Sequence, residues 1–233
     1  MELAAIGQIQ ARLKSARQAL EENDLAKAEE YFNRMLAVEG DHPDRTSIIR
    51  TTLKEYSDRV TDQQTPPDWR GAQEALEMLT RLKMQTGETL QTEESEGWWR
   101  ELRLKEADDL LKQSGIEESF QIFVSLVEKR YQPDVRDQLD IRIVDIVRDH
   151  IAQCAQRGTW TLADQIVANS QKLWENNAKR LVWLRTVSDI LKGAETRLVQ
   201  TEQDIRQYRS FLIILSAIFI ISGLAFGWLF WQY

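Results

Sequence analysis

NDLAKAEEYFNRML, residues 23–36, returns in outline three more times along the chain. PDWRGAQEALEMLT begins at Pro67, SGIEESFQIFVSLV at Ser114 and GTWTLADQIVANSQ at Gly158, and the four align without gaps. Each opens on a turn-prone residue, followed by a large apolar one: Leu25, Trp69, Ile116 and Trp160. Three positions later stands a small residue, Ala28, Ala72, Ser119 and Ala163. Four further on comes another apolar one, Phe32, Leu76, Phe123 and Val167. Steps of three and four mark one face of an α-helix. Two packed helices need a small residue where their axes approach and large ones beside it to fill the groove. The small residues recur at intervals of 44, 47 and 44 positions, room for two helices and their turns. Stacked helix pairs bury a core that no pair buries alone. The expected fold is therefore all-α, built of helical hairpin repeats.

The rest of the chain agrees. Only four prolines and ten glycines punctuate 233 residues, and β-branched residues alternate with polar ones nowhere for long. The spacing predicts helices over Glu2–Glu22, Leu25–Val38, Arg45–Thr61, a segment N-capped by Asp68 and running to Met84, Trp98–Lys112, Ile116–Arg130, Val135–Arg157 and Trp160–Glu175. Loops are expected at Asp41–Asp44 and at Asp62–Asp68, where paired prolines disfavour helix before them. The polar, acidic Gln85–Gly97 reads as a mobile loop.

Asn23 to Pro43, NDLAKAEEYFNRMLAVEGDHP, resembles the second half of a tetratricopeptide motif. The likeness lies in the Asn23-Asp24 turn, Leu25 at the bulky position, Ala28 at the small one, Phe32 at the aromatic one, Leu36 inside and Pro43 after the helix. GTWTLADQIVANSQKLWENN, from Gly158, resembles the same half, and the other two segments match it less well. The resemblance implies a TPR-like α-solenoid or bundle that binds protein segments. Family motifs recur every 34 residues, so longer helices or inserted loops take up the difference here. HEAT-like pairs fit the period better and the residue pattern worse.

A different physics governs the end of the chain. Phe211 to Trp231 contains no charge and no proline, and thirteen of its twenty-one residues are Leu, Ile or Phe. As a helix it spans about 31 Å, close to the roughly 30 Å hydrocarbon core of a bilayer. Trp228, Trp231 and Tyr233 form an aromatic belt, and Arg206 and Arg209 precede the run. The positive-inside preference then places the N-terminal body in the cytoplasm. The opening MELAAIGQIQARLKSARQAL lacks the make-up of a signal peptide, and the arrangement expected is a tail anchor. Within the span Gly223 and Gly227 form a G-x-x-x-G pair, a candidate for helix self-association in lipid.

Before the span, Leu184, Leu191, Leu198 and Ile205 fall on a seven-residue beat, with Val187, Ala194, Thr201 and Tyr208 offset by three. That is an a/d seam. Two arrangements stay open: a parallel coiled coil that makes a homodimer, or a helix packed back on the last repeat. Packing back is expected for Leu181–Leu191, and Leu198–Tyr208 is open. The e and g positions show no evident charge code, and Gly193 is the weak point. The organisation expected is a repeat domain over 1–180, a juxtamembrane helix over 181–210 and a transmembrane helix over 211–231.

Thirty basic and thirty-seven acidic residues give a net charge of −7, without a basic stripe for nucleic acid. The single cysteine, Cys154, excludes an intrachain disulfide and a cysteine-rich zinc site. His150 and Cys154 share a helix face but lack the third ligand or orienting group that metal binding or nucleophilic catalysis needs. They read as a surface histidine and a core cysteine. Phosphate-loop, dinucleotide, zinc-protease and serine-hydrolase motifs are absent. No catalytic residue, metal or cofactor is assigned. With eight tryptophans in the chain, Trp69, Trp98, Trp99, Glu93 and Glu94 are the candidate protein-binding residues, for a basic or amphipathic partner. The function expected is a non-enzymatic membrane scaffold or adaptor. The alternatives are a membrane-acting effector whose span is released by proteolysis in Gln85–Gly97 or by partner loss, and a structural subunit of a membrane complex.

Overall fold

The fold is that of a computed structural model describing residues 2–38 and 44–232, with side chains described over 6–38 and 44–206. Nine helices occupy the described residues: α1 (Glu2–Glu21), α2 (Leu25–Leu36), α3 (Asp44–Asp62), α4 (Trp69–Arg81), α5 (Glu93–Lys112), α6 (Ile116–Glu128), α7 (Pro133–Arg157), α8 (Trp160–Leu173) and α9 (Ala178–Gln232). Among them there is no strand, only an isolated antiparallel bridge between Lys83 and Thr89. The chain divides into two compact units, Met1–Ile143 and Val144–Tyr233.

The four repeated segments are the even-numbered helices, and each begins at its large apolar residue. The small positions Ala28, Ala72, Ser119 and Ala163 are at most 1% exposed, and Phe32, Leu76, Phe123 and Val167 are all buried. In the first unit α1 pairs with α2, α3 with α4 and α5 with α6. The Arg81–Glu29 ion pair, at 2.9 Å, links α4 to α2. In the second unit α8 packs on α9, where Trp174 and Trp183 meet edge to face with centroids 6.2 Å apart. The fold is thus all-helical and repeat-like.

The repeat extends to the joints. Ahead of α2, α6 and α8 the chain turns through one residue with positive φ: Asn23 (57°), Ser114 (67°) and Gly158 (70°). The next N–H then donates back five residues, from Asp24 to Ala19, Gly115 to Leu110 and Thr159 to Cys154, at 2.7 to 2.9 Å. This is the left-handed helix stop that glycine favours and asparagine tolerates. Ahead of α4 the equivalent bond runs from Asp68 to Val60, so that turn spans three more residues than the others, although the repeat interval it belongs to, Ala28 to Ala72, is no longer than the last. Asp24 and Asp68 also cap their helices, accepting from the N–H of Lys27 and Gly71. Serine is the joint residue least suited to φ above zero. Ser114→Gly is expected to raise stability by about 0.5–1 kcal/mol, read as a higher melting temperature of the first unit.

Several boundaries differ from the sequence reading. α5 starts at Glu93 rather than Trp98, because Thr92 and Ser95 form a reciprocal capping box and Glu93, Glu94 and Glu96 occupy the first turn, where the helix dipole favours acid. The stretch expected as a mobile loop instead turns tightly over 82–90, with Gly87 at φ 84° and Leu82 and Leu90 buried at either end. α7 starts at Pro133, a residue suited to the first helical position. His150 is 4% exposed, so its expected place on the surface is corrected: the α7 face that carries Cys154 is apolar enough to bury both.

α9 runs through Gly193 without a break. Leu184 and Leu191 are buried, in line with the packing-back arrangement for that part of the seam. Among the described residues no helix is long and apolar enough to cross a membrane. The expected span over 211–231, with Gly223 and Gly227, lies outside the described side chains, as does Tyr208. Of the expected loop Asp41–Asp44, residues 41–43 lie outside the described residues, and Asp44 is the first residue of α3.

Candidate functional site

A cleft in the first unit gathers residues from three places in the sequence. Leu76, Glu77 and Thr80 come from α4. Ser95, Glu96 and Trp99 come from α5, with Gln91 just before it. Lys129, Arg130 and Tyr131 come from the connector between α6 and α7. Its volume is about 380 Å³. The connector leaves the helix because Lys129 adopts an extended backbone, ψ 140°, and Pro133 cannot enter until the next helix begins. The fold of the α5–α6 hairpin then carries residues 129–131 back alongside the start of α5.

Trp99 is the centre of the cleft's electrostatics. The Lys129 Nζ lies 3.5 Å from the centroid of its ring, and the Arg103 guanidinium lies at 6.0 Å. Both are within range of the negative π-face. Arg100 stands 5.0 Å over the Tyr131 ring, and the Tyr131 hydroxyl is buried without a hydrogen bond of ordinary geometry. Loss of water lowers the Lys129 pKa, and Arg103 and Arg100 lower it further against the opposing pull of Glu96 and Glu77. Loss of water raises the Tyr131 pKa. The ammonium is thus held where an added carboxylate would relieve its poor solvation. Behind the cleft, Arg103 pairs with Glu106, and Gln73 donates to the same carboxylate at 2.7 Å from α4. That brace fixes the α5 face that carries Trp99.

The structure separates the residues singled out from the sequence. Trp99 lines the cleft, whereas Trp98 lines a different hollow with Lys54, Asp58 and Leu102. Adjacent residues on a helix point about 100° apart, which is enough to divide them. Trp69, Trp98 and Trp99 are each partly buried against the core. Glu93 and Glu94 are exposed and line neither hollow. Sequence reasoning missed Lys129, Arg130 and Tyr131. Their signal was the run KRYQP, residues 129–133, an aromatic beside two cations at a helix end. Among the described residues no cluster of His, Cys, Asp and Glu could hold a metal ion. No known family model, curated protein or solved structure matches this chain.

Proposed function

We propose that this chain is a membrane-anchored scaffold or adaptor without catalytic activity, whose tetratricopeptide-like hairpins capture a partner protein. In this reading residues 211–231 cross the bilayer and the helical-repeat body lies on the cytoplasmic side. Confinement to a membrane raises the effective concentration of the body toward a second membrane-bound protein. The observation that carries the reading is the Trp99 cleft, with apolar surface from Leu76 and Trp99 and charges of both signs at its rim. It suits an amphipathic segment that lays an apolar side chain against Trp99 and a carboxylate beside Lys129 and Arg130. A purely basic segment suits it less, because Lys129 already covers the indole face.

The test has two arms. Photo-crosslinkers placed at Thr80 and Gln91 in native membranes should trap the same protein. Trp99→Ala and Lys129→Glu should then each weaken capture by about tenfold or more, the scale of a tryptophan hot spot. Lys129 lies in the connector between α6 and α7, so its reversal should leave the helical circular dichroism unchanged. Unaltered capture by both variants would remove the cleft from the function. Alkaline carbonate extraction tests the anchor separately: the full chain should stay with the membrane pellet, and deletion of 211–233 should release it.

A further inference from the structure

We propose that residues 194–209 of α9 pair with the same segment of a second copy as an in-register, parallel two-stranded coiled coil. From Thr196 through Arg206 every residue of α9 is exposed, yet the helix is continuous. Leu198 is 50% and Ile205 60% exposed, while Leu191 and Leu184, one and two heptads before Leu198 on the same seam, are buried. The seam therefore has two parts. The first is covered by this chain's own second unit, and the second continues the same beat with nothing among the described residues on it. A lone helical segment of this length is marginal in water. The heptad that predicts a partner is the one that runs on past Leu191.

Charge identifies the partner. With Leu198 and Ile205 at a, Arg197 and Asp204 occupy g, and Glu202 and Arg209 the following e positions. In a parallel dimer each g residue faces the e residue five positions on in the other helix. Those pairs are Arg197 with Glu202 and Asp204 with Arg209, opposite in sign both times. Taken position by position, e and g mix signs without a rule. Taken in pairs across two copies, they match. The self-complementary surface fits a second copy of this chain, and the inference depends neither on the Trp99 cleft nor on the membrane span.

The experiment uses the full chain, extracted in mild detergent with many micelles per protein, in a Cys154→Ser background. Leu198→Cys and Ile205→Cys should each form an intermolecular disulfide under mild oxidation, and Val199→Cys and Gln203→Cys, on the outer face, should not. Parallel strands bring identical residues together at every a position. An antiparallel pair does so only near its crossing point, and Leu198 and Ile205 are about 10 Å apart along the axis. Arg197→Glu and Glu202→Arg should each weaken dimerisation about tenfold, and the double variant should restore it to within about twofold. All of these sites are exposed, so helicity should hold. A monomeric mass, a crosslink at only one of the two a positions, equal crosslinking at 199 and 203, or failure of the double variant to recover would each overturn the proposal.

Discussion

Phe123→Ala is expected to lower the stability of the first unit by about 3–5 kcal/mol. The ring has no exposed surface, and it meets Phe120 edge to face with centroids 5.5 Å apart at 89°. It occupies the position in the third repeat that Phe32 holds in the first, four residues beyond the small residue where the paired helices approach. Truncation removes the transfer free energy of the ring and leaves a cavity that close-packed neighbours cannot collapse. Ser119, one turn earlier, cannot yield: it is fully buried, and its hydroxyl donates to the Ala107 carbonyl at 2.9 Å, across to α5. A urea melt should show a lower midpoint with an unchanged slope. The adjacent Val124 is 38% exposed, and Val124→Ala should cost no more than about 0.5 kcal/mol. Equal losses at 123 and 124 would contradict the helix face assigned to this repeat.

The second large effect is at Arg103. Arg103→Met is expected to cost about 2–3 kcal/mol at neutral pH, less than breaking a fully buried pair because a little solvent still reaches it. The two side chains are 17% and 16% exposed. Loss of water raises the Glu106 pKa, and this outweighs the opposing influence of Arg103 and of the Gln73 hydrogen bond. A group whose folded pKa is raised adds stability at low pH that is lost as pH rises through the folded pKa. Ionised Glu106 already opposes folding at neutral pH, and removing Arg103 raises its pKa further. The variant's deficit should therefore be largest near pH 7 and shrink as the pH falls toward about 4, where Glu106 is protonated and wild-type Arg103 is itself unpaired. Denaturant melts of both proteins across that range check it. A deficit that grows on acidification would mean that burial does not govern this carboxyl. Because Arg103 lies over Trp99, the variant should also weaken capture at the cleft.

Much of the hairpin architecture was legible because it is written at short range. The step from Leu25 to Ala28 to Phe32 describes one face of one helix, and a helix face is set by residues three and four apart. Four copies of that step located α2, α4, α6 and α8 to their first residues, and the aspartate before α4 announced its cap. The errors fell where a local preference competes with a cap or a contact. Glu93, Glu94 and Glu96 resembled a solvated loop, and became a first helical turn once Thr92 and Ser95 closed on each other. His150 resembled a surface residue until the helix face it shares with Cys154 was buried.

The candidate site was legible only in part. The tryptophan pair at 98 and 99 stood out, but which of the two faces the cleft depends on how α5 is rotated against α4. The hydrogen bond from Gln73 of α4 to Glu106 of α5, with Arg103 paired to the same carboxylate, helps to hold that angle. Lys129 and Tyr131 lie thirty residues or more from Trp99, and no periodicity joins them.

What the sequence alone determined is the all-helical character, the repeat with its small and large positions, the seven-residue beat of α9 and the charge-free run after it. Each is a pattern in residues adjacent along a helix, where backbone geometry makes neighbours of positions three, four and seven apart. Tertiary structure alone decided which tryptophan borders the cleft, which cation lies on it, and where the α9 seam stops being covered. Those depend on distances between helices, which side-chain volumes and turn geometry set jointly and no single stretch encodes.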